Sequence, residues 1–530
     1  MKRDEMIDRL SAHEPFEVLV IGGGATGLGC AVDAASRGCR TALLEAHDFA
    51  KGTSSRSTKL VHGGVRYLQQ GNIALVLEAL RERGILCRNA PHLVKDLAFV
   101  VPRYRWWDGP FYGVGLKMYD ALARDRQIAP SRILGRNETL AEIPNVEPDE
   151  LIGGVRYHDA QFDDARMALA LARTAVDQRA VVANHVRVVD LVKQSGQVTG
   201  VAAVDEETGR ELRIDAKVVI NATGVFADRI RHLDEPGASA TTLPSQGVHL
   251  VLGRSFQPSD SAIMVPRTDD GRVLFVIPWH DRVLVGTTDT PIPEPSAEPR
   301  ALPEEVDFIL ENAGRYLDHD PRREDVLSVF AGLRPLVQPD GGGEETKKIS
   351  REHAVLVSAS GLVTIVGGKW TTYRRMAQDA VNDALEVGGL GARPCPTKAL
   401  PIHGWMERTH PDFPEESTLQ PYGSEFGELR ALEEEDPALA EPLDPRLPYR
   451  GSHVVYAVRH EMARTPEDVL ARRTRSLLLD ARASMDAAPR ATALLAAELG
   501  RDAAWCEAGV AGYRELAAGY LLPDSKPSVR

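Results

Sequence analysis

Three observations predict the fold class of this sequence: an α/β fold joined to an antiparallel sheet and a helical C-terminal part. An apolar, β-branched run at residues 16–21 leads into three glycines and a small-residue helical stretch, which indicates the start of a parallel βαβ unit. Residues 245–365 show short strand-like runs separated by Pro, Gly and Asp turns, which favours antiparallel strands. Beyond residue 450 the composition turns to Ala, Leu and Arg, which favours helices.

The composition limits the functional classes open to this 530-residue chain. Its 63 basic and 76 acidic residues give a formal net charge of -13, which argues against general nucleic-acid binding. The five cysteines show no CxxC spacing, so we expect reduced thiols and no metal site. No run of about 20 apolar residues occurs, so any membrane contact is expected to be peripheral.

The predicted elements group into interleaved domains. A Rossmann-like nucleotide-binding domain is expected to be discontinuous, with an antiparallel sheet domain inserted into it and a helical domain at the end. The predicted ranges are 14–90, 155–240 and 355–388 for the first domain, 91–154 and 241–354 for the second, 389–450 for a linker rich in Pro, Glu and Gly, and 451–525 for the C-terminal helical domain.

A dinucleotide fingerprint follows the first strand. Gly22, Gly24 and Gly27 match GxGxxG at the head of the helix, and these glycines allow a tight turn, close approach of a pyrophosphate and close helix–strand packing. Glu45 ends the next strand, 18 residues after Gly27, where a carboxylate can bind a ribose. A glycine-rich turn in an unrelated strand–helix unit is the alternative, and the complete βαβ unit with its acid argues against it.

Three distant segments indicate a cofactor longer than one nucleotide. The polar loop Thr53–Lys59 follows the acid, NATG at 221–224 ends a second strand, and a late strand runs into Gly367-Gly368. A ligand contacted by all three segments fits FAD better than NAD.

Several motifs of the chain carry a family resemblance. VIGGGATGLGCAVDAASRG, TSSRSTKLVHGGVRYL, NATG, FVIPW, VGTTD, GLRPL and GGKWTTYR resemble the FAD-dependent glycerol-3-phosphate dehydrogenases from about residue 16 to 385, and VLARRTRSLLLD resembles that family's helical C-terminal domain. The resemblance implies noncovalent FAD and oxidation of sn-glycerol 3-phosphate to dihydroxyacetone phosphate. It also implies electron transfer to a membrane quinone and peripheral attachment to the anionic cytoplasmic face of the cell membrane, with a homodimer left open.

The resemblance also implies the residues of the site. Those expected at FAD are Gly22, Gly24, Gly27, Glu45, Thr53, Ser54, Thr58, Lys59, Leu60, Val186, Gly224, Gly368, Trp370 and Thr371. Those expected at the substrate are Arg66, Tyr67, Arg334, Arg351 and Lys369. A phosphate dianion requires cations, and arginine gives paired, charge-assisted hydrogen bonds. Any one of these basic residues alone would be interpreted as a solvated surface charge.

His249 is the predicted base and Arg334 the predicted stabiliser of the developing oxyanion. Nearby guanidinium groups disfavour a second cation, so we expect them to lower the pKa of His249 and keep it neutral. A neutral imidazole can accept the C2 hydroxyl proton while hydride passes to the flavin. A hydrogen-bonded structural histidine is the alternative. The sequence has GVH where the family pattern leads us to expect GSH, and Gln246 stands where a basic residue is expected.

The segment 103–119 combines basic and aromatic side chains, which suits the lipid headgroup boundary. Its alternative is a lid or domain-interface loop. Three other functions stay open at this point: an oxidase of the same substrate that uses O2, a flavoenzyme of the same superfamily that acts on an amine or amino acid, and a non-catalytic nucleotide-binding scaffold.

Overall fold

The computed structural model describes residues 1–12, 14–64, 72–105, 119, 122, 128–265, 267–269, 271–338 and 353–523. Within them the strands are β1 Phe16–Ile21, β2 Thr41–Leu44, β3 Leu60–Val61, β4 Val94–Arg103, β5 Arg132–Gly135, β6 Gly153–Phe162, β7 Val181–Ala183, β8 Val186–Gln194, β9 Gln197–Asp205, β10 Glu211–Asn221, β11 Thr242–Gly253, β12 Ala262–Val265, β13 Leu274–Trp279, β14 Arg282–Gly286, β15 Thr290–Pro291, β16 Val326–Val337, β17 His353–Val357 and β18 Val363–Gly367.

The helices pack around two sheets. They are α1 Arg3–Leu10, α2 Ala25–Ser36, α3 Ile73–Asn89, α4 Arg136–Glu142, α5 Asp164–Asp177, α6 Ala227–Asp234, α7 Pro303–Gly314, α8 Tyr373–Val387, α9 Phe426–Glu435, α10 Gly451–Glu461, α11 Ser476–Leu479, α12 Ala481–Leu499 and α13 Ala503–Ala518. Among the helices of these described ranges, none has both the length and the apolarity needed to cross a bilayer.

The first sheet is parallel at its centre, in the order β18–β10–β1–β2–β7. β1 is almost wholly buried because helices and strands cover it on both faces, which explains its unbroken apolar sequence. β1, β2, β10 and β18 end at the same edge of the sheet, where Gly22, Glu45, Ala222 and Gly368 follow them. The carboxyl edge of a parallel sheet is where such folds bind ligands.

The second sheet is mostly antiparallel, in the order β15–β11–β14–β13–β12–β4–β6–β3, with β16 on β11 and β5 on β6. β11 pairs with both β14 and β16, which places His249 between Gly286 and Phe330. This sheet confirms the antiparallel prediction, but the expectation of an all-β stretch from 245 to 365 is wrong, because α7 interrupts it.

Local sequence features explain why helix α7 forms between the strands of this sheet. Pro303 occupies its first turn, and the Glu305 carboxylate accepts a hydrogen bond from the Leu302 amide at 3.0 Å. Val306, Ile309 and Ala313 are buried on one face at helical spacing and pack against the second sheet.

The C-terminal helices share a hydrophobic cluster with the second sheet. Trp279 and Phe330 of that sheet pack in one buried cluster with Leu470 and Leu477. Residues 389–450, expected to form a linker, include α9 and share a buried cluster around Tyr422 with Val455 and Tyr456 of α10. The C-terminal part is therefore packed against the rest of the chain, whereas the domain boundaries given above stay predictions.

Candidate active site

A cavity of about 800 Å³ lies between the ligand edge of the first sheet and strands β11 and β16 of the second. Its volume is within the range of cofactor sites. Residues predicted for FAD or substrate that line it are Gly22, Gly24, Glu45, Thr53, Ser54, Thr58, Leu60, Val186, Gly224, His249, Arg334, Gly368, Lys369, Trp370 and Thr371.

The fingerprint glycines build the floor of this cavity. Gly22 has φ +111°, and a Cβ there would lie 2.7 Å from the Ala222 carbonyl oxygen. A Cβ on Gly27 would overlap the Gly22 carbonyl oxygen, so Gly27 permits close packing without itself lining the cavity. Helix α2 begins at Ala25, whose amide donates to the Ser54 hydroxyl at 2.9 Å. The N-terminus of α2 therefore faces the cavity with the geometry that favours a pyrophosphate.

Glu45 is fixed at the end of β2 by backbone donors. Its carboxylate accepts hydrogen bonds from the Gly23 amide at 2.6 Å and the His47 amide at 2.9 Å. Its carbonyl accepts one from the Val186 amide at 2.8 Å. The carboxylate keeps acceptor capacity beyond these two bonds, which suits the ribose contact expected of it.

Lys59, predicted to contact FAD, is not among the residues that line the cavity. Its ammonium is buried and donates to Asp164 Oδ2 at 2.7 Å and to the Ser55 carbonyl at 2.8 Å. Burial lowers the pKa of Lys59 to about 8, although Asp164 opposes the shift. The lysine therefore stabilises the polar loop through Ser55 and Asp164. Its position in the motif could not distinguish this role from direct contact with FAD.

His249 is a buried titratable group of the cavity. Its Nε2 is hydrogen-bonded to Thr58 Oγ1 at 3.0 Å, and its ring stacks on Phe330 with centroids 5.0 Å apart. Its Nδ1 has no hydrogen-bond partner among the described residues. A side chain on Gly286 would collide with the imidazole, so the glycine of VGTTD makes room for it.

The pKa of His249 lies well below its usual value, as expected for a base that must stay neutral. Burial is the largest cause, followed by the Lys59 ammonium and then the Arg334 guanidinium. The direction agrees with the prediction, but the predicted cause was incomplete, because neighbouring guanidinium groups contribute less than desolvation does.

Arg334 is held in one orientation on β16. Its Nη1 donates to the Gln246 carbonyl at 3.2 Å and lies 3.3 Å from Asp289 Oδ1, while Nη2 donates to the Thr288 carbonyl at 3.0 Å. A Cβ on Gly247 would collide with this guanidinium, which explains a glycine two residues before His249. A guanidinium fixed in this way can bind an anion at low entropic cost.

Two family models together match most of the chain. Residues 17–374 match the family model described as FAD dependent oxidoreductase, and residues 362–506 match the C-terminal domain of alpha-glycerophosphate oxidase. The chain is 41% identical to mitochondrial glycerol-3-phosphate dehydrogenase of Homo sapiens, over 94% of this chain and 73% of the relative, and equally to that of Macaca fascicularis, over the same shares. The chain belongs to the family of FAD-dependent glycerol-3-phosphate dehydrogenases.

A solved structure of this family supports the assignment of the cofactor. Glycerol-3-phosphate dehydrogenase from Bacillus halodurans, complexed with FAD, superposes with a TM-score of 0.80 at 29% identity, covering 100% of this chain and 98% of that one. FAD is the cofactor of the present family member as well, in agreement with the donors and glycines that line its cavity.

Sequence reasoning missed Arg56 and Lys51, two cationic residues of the dehydrogenase cavity. Arg56 is buried and donates to Tyr520 Oη at 2.9 Å and to the Ala297 carbonyl at 2.8 Å. Burial favours a raised pKa for Glu298, but Arg56 and Lys51 together bring it down to about 2. Arg56 lies within the polar loop and Lys51 two residues before it. That position was the available signal, since charged residues beside hydroxyl-rich segments must find partners when buried.

Some predicted residues lie outside the described part of the chain. They are Arg66, Tyr67 and Arg351 of the substrate site and Trp106, Trp107, Phe111, Tyr112 and Lys117 of the proposed membrane segment. Of the four basic residues expected at the substrate, Arg334 and Lys369 are described, and both line the same cavity.

Proposed function

We propose that this enzyme oxidises sn-glycerol 3-phosphate to dihydroxyacetone phosphate, with FAD as the first electron acceptor. The observation that carries the proposal is the meeting of His249, Arg334 and Lys369 in the cavity that the dinucleotide fingerprint also lines. The named activity of the 41%-identical relatives supports it.

Arg334 and Lys369 supply the positive charge that the substrate phosphate needs. The Arg334 guanidinium is half-buried and already oriented, so an anion loses little entropy in binding to it. Lys369 follows Gly368, whose φ of +76° turns the chain toward the cavity. By family resemblance, Arg66, Tyr67 and Arg351 would join these two residues at the substrate.

His249 removes the proton from the C2 hydroxyl in this proposal. Its depressed pKa keeps the imidazole neutral near pH 7, which is the state able to accept a proton. Thr58 fixes the ring through Nε2 and lines the cavity itself. FAD supplies the hydride-accepting chemistry when bound. Arg334 would then stabilise the negative charge that grows on the C2 oxygen, since its own pKa is too high for a base.

Reduction of the flavin tests the substrate assignment. We expect anaerobic addition of glycerol 3-phosphate to the purified yellow protein to bleach the flavin absorbance, because bound substrate delivers its hydride with no acceptor to remove it. Glycerol, which lacks the phosphate, is the matched control and should leave the spectrum unchanged at the same concentration. Bleaching by amines or amino acids but not by glycerol 3-phosphate would contradict the proposal.

The proposed electron acceptor of the reduced enzyme is a membrane quinone, reached from the cytoplasmic face of the cell membrane. The support is the family resemblance and the basic, aromatic sequence of residues 103–119. A homodimer belongs to the same set of proposals. Release of peroxide with substrate alone would instead favour an oxidase that uses O2.

Replacing both Trp106 and Trp107 by Ser is expected to reduce sedimentation with anionic liposomes. Indole rings partition into the headgroup region, so their loss should weaken binding while flavin reduction by glycerol 3-phosphate continues. Replacing the partly exposed Trp405 by Ser provides the control, since it lies outside segment 103–119. Unchanged sedimentation of the double variant would exclude this segment as the membrane contact.

A further inference from the structure

One wall of the FAD cavity is a single loop, residues 46–59, here named the cofactor loop. Between Ala46 and Thr58 most of its residues line the cavity, and its regular structure is limited to one short 3-10 turn, Thr53–Ser55. A loop with so little regular structure needs external anchors to keep one shape, because ordering its residues costs conformational entropy.

The first anchor is Asp48, which is fully buried. Its carboxylate is paired with the guanidinium groups of Arg472 and Arg473, both of which belong to the C-terminal part of the chain. Asn184 donates to its other oxygen at 3.0 Å. Burial opposes ionisation of Asp48, but these two arginines hold its pKa below the usual value, so the carboxylate is charged.

The second anchor is Arg475, whose side chain is also buried. Its Nη2 donates to the Ser55 carbonyl of the cofactor loop at 2.7 Å and to Asp164 Oδ1 at 3.0 Å. The other Asp164 oxygen accepts hydrogen bonds from the Ser57 amide at 2.9 Å and the Ser57 hydroxyl at 2.7 Å. Arg475 therefore holds the loop once directly and once through Asp164.

Asp48 also belongs to a group of three side chains whose types can bind a metal ion. Asp48, His185 and Asp468 bring their ligand atoms within 4.8 Å of one another. Arg472 contacts both carboxylates, with Nη2 2.7 Å from Asp468 Oδ1, and His185 Nε2 lies 3.0 Å from Asp468 Oδ2. Because guanidinium groups already neutralise these carboxylates, the cluster is an ion-pair junction between the cofactor loop and the C-terminal part.

We propose that the segment Arg472–Arg475 is a positioning element for FAD, which holds the cofactor loop in its binding shape from the C-terminal part of the chain. Without it, FAD itself would have to order the parts of the loop that these arginines hold, around Asp48 and Ser55, and that cost would be subtracted from the binding free energy. The inference rests on FAD as the cofactor and is independent of the proposed substrate and base.

The test replaces Arg475 by Met in the full-length protein and measures FAD affinity by titrating the apoprotein. We expect the Kd for FAD to rise at least about tenfold, which corresponds to about 1.4 kcal/mol. Replacing Arg475 by Lys keeps a cation near Asp164 but loses the planar guanidinium that aims Nη2 at both Ser55 and Asp164, so its Kd should lie between those of the unmodified protein and Arg475→Met. Unfolding midpoints at saturating FAD verify that each variant is folded.

Arg173→Met is the matched control. Arg173 lies on α5, the helix that also carries Asp164, and forms a largely buried pair with Glu425, whose oxygen is 2.9 Å from Nη2, without contacting the cofactor loop. We expect its Kd for FAD to stay within about twofold of the unmodified protein.

Two results would overturn the proposal. One is an unchanged Kd in Arg475→Met, or in Arg475→Lys if the Met variant does not fold. The other is an equal rise in Arg173→Met, which would assign the effect to general docking of the C-terminal part. Because the measurement contains no substrate, either failure leaves the proposed oxidation of glycerol 3-phosphate untouched.

Discussion

Replacing His249 by Asn is expected to lower kcat for glycerol 3-phosphate by about 10²–10⁴-fold, the usual contribution of a positioned general base. Asparagine keeps a polar side chain of similar reach toward Thr58 but cannot accept the proton. Steady-state turnover with an artificial electron acceptor measures the effect. The Kd for FAD should change little, since His249 contacts the polar loop through one hydrogen bond.

His453→Asn is the control for the effects of burial alone. His453 is also buried with a pKa lowered to about 3, first by desolvation, but it lies in the C-terminal part away from the cavity. We expect its kcat to remain within about threefold of the unmodified enzyme. Equal losses in the two variants would show that removing a buried imidazole damages the fold, and would remove the support for His249 as base.

The assignment of His249 as the base also predicts how kcat/KM depends on pH. A lowered pKa means that His249 loses its proton at a lower pH than a free histidine, so the base form already predominates at pH 6.5. The acid limb of kcat/KM, corrected for the substrate phosphate that ionises near pH 6, should therefore lie below the usual range of histidine. A limb centred at about 6.5 would contradict the environment described here.

Replacing Arg334 by Met is expected to lower kcat/KM by about 10²–10³-fold, or about 3–4 kcal/mol. The change removes the cation proposed for the phosphate and the developing oxyanion. It also leaves Asp289 without this partner. Arg334→Lys keeps the charge but not the planar fork, so it should recover only part of the loss. Initial rates over a range of substrate concentrations give the measurement.

Arg282→Met controls for the loss of an arginine from the same sheet. Arg282 lies on β14 and contacts Asp281 and the Arg446 carbonyl, outside the cavity. Its kcat/KM should stay within about threefold of the original value. If Arg334→Met retained its kcat/KM, Arg334 would be a structural residue that holds Asp289 and the carbonyls of Gln246 and Thr288, and the substrate site would have to lie elsewhere.

Local patterns were sufficient for the elements around the fingerprint. The strand at 16–21, the helix from Ala25 and the strand at 41–44 follow the pattern because each signal is contained within a few residues. Helix α7 was missed because its buried face is short and lies between strands with strong β signals. The packing of residues 389–450 was missed because Pro, Glu and Gly obscure scattered apolar anchors such as Tyr422 and Leu429.

The sequence by itself determined the family and the cofactor, and most of its candidate residues in the described ranges line the cavity, because glycines and charged residues in motifs record what the backbone and ligand require of each position. Only the tertiary structure showed that the Lys59 ammonium is buried against Asp164, that burial dominates the pKa of His249, and that Arg475 reaches the cofactor loop. These facts depend on side-chain direction, desolvation and contacts across hundreds of residues. Such quantities arise from packing in three dimensions, which motif spacing does not encode.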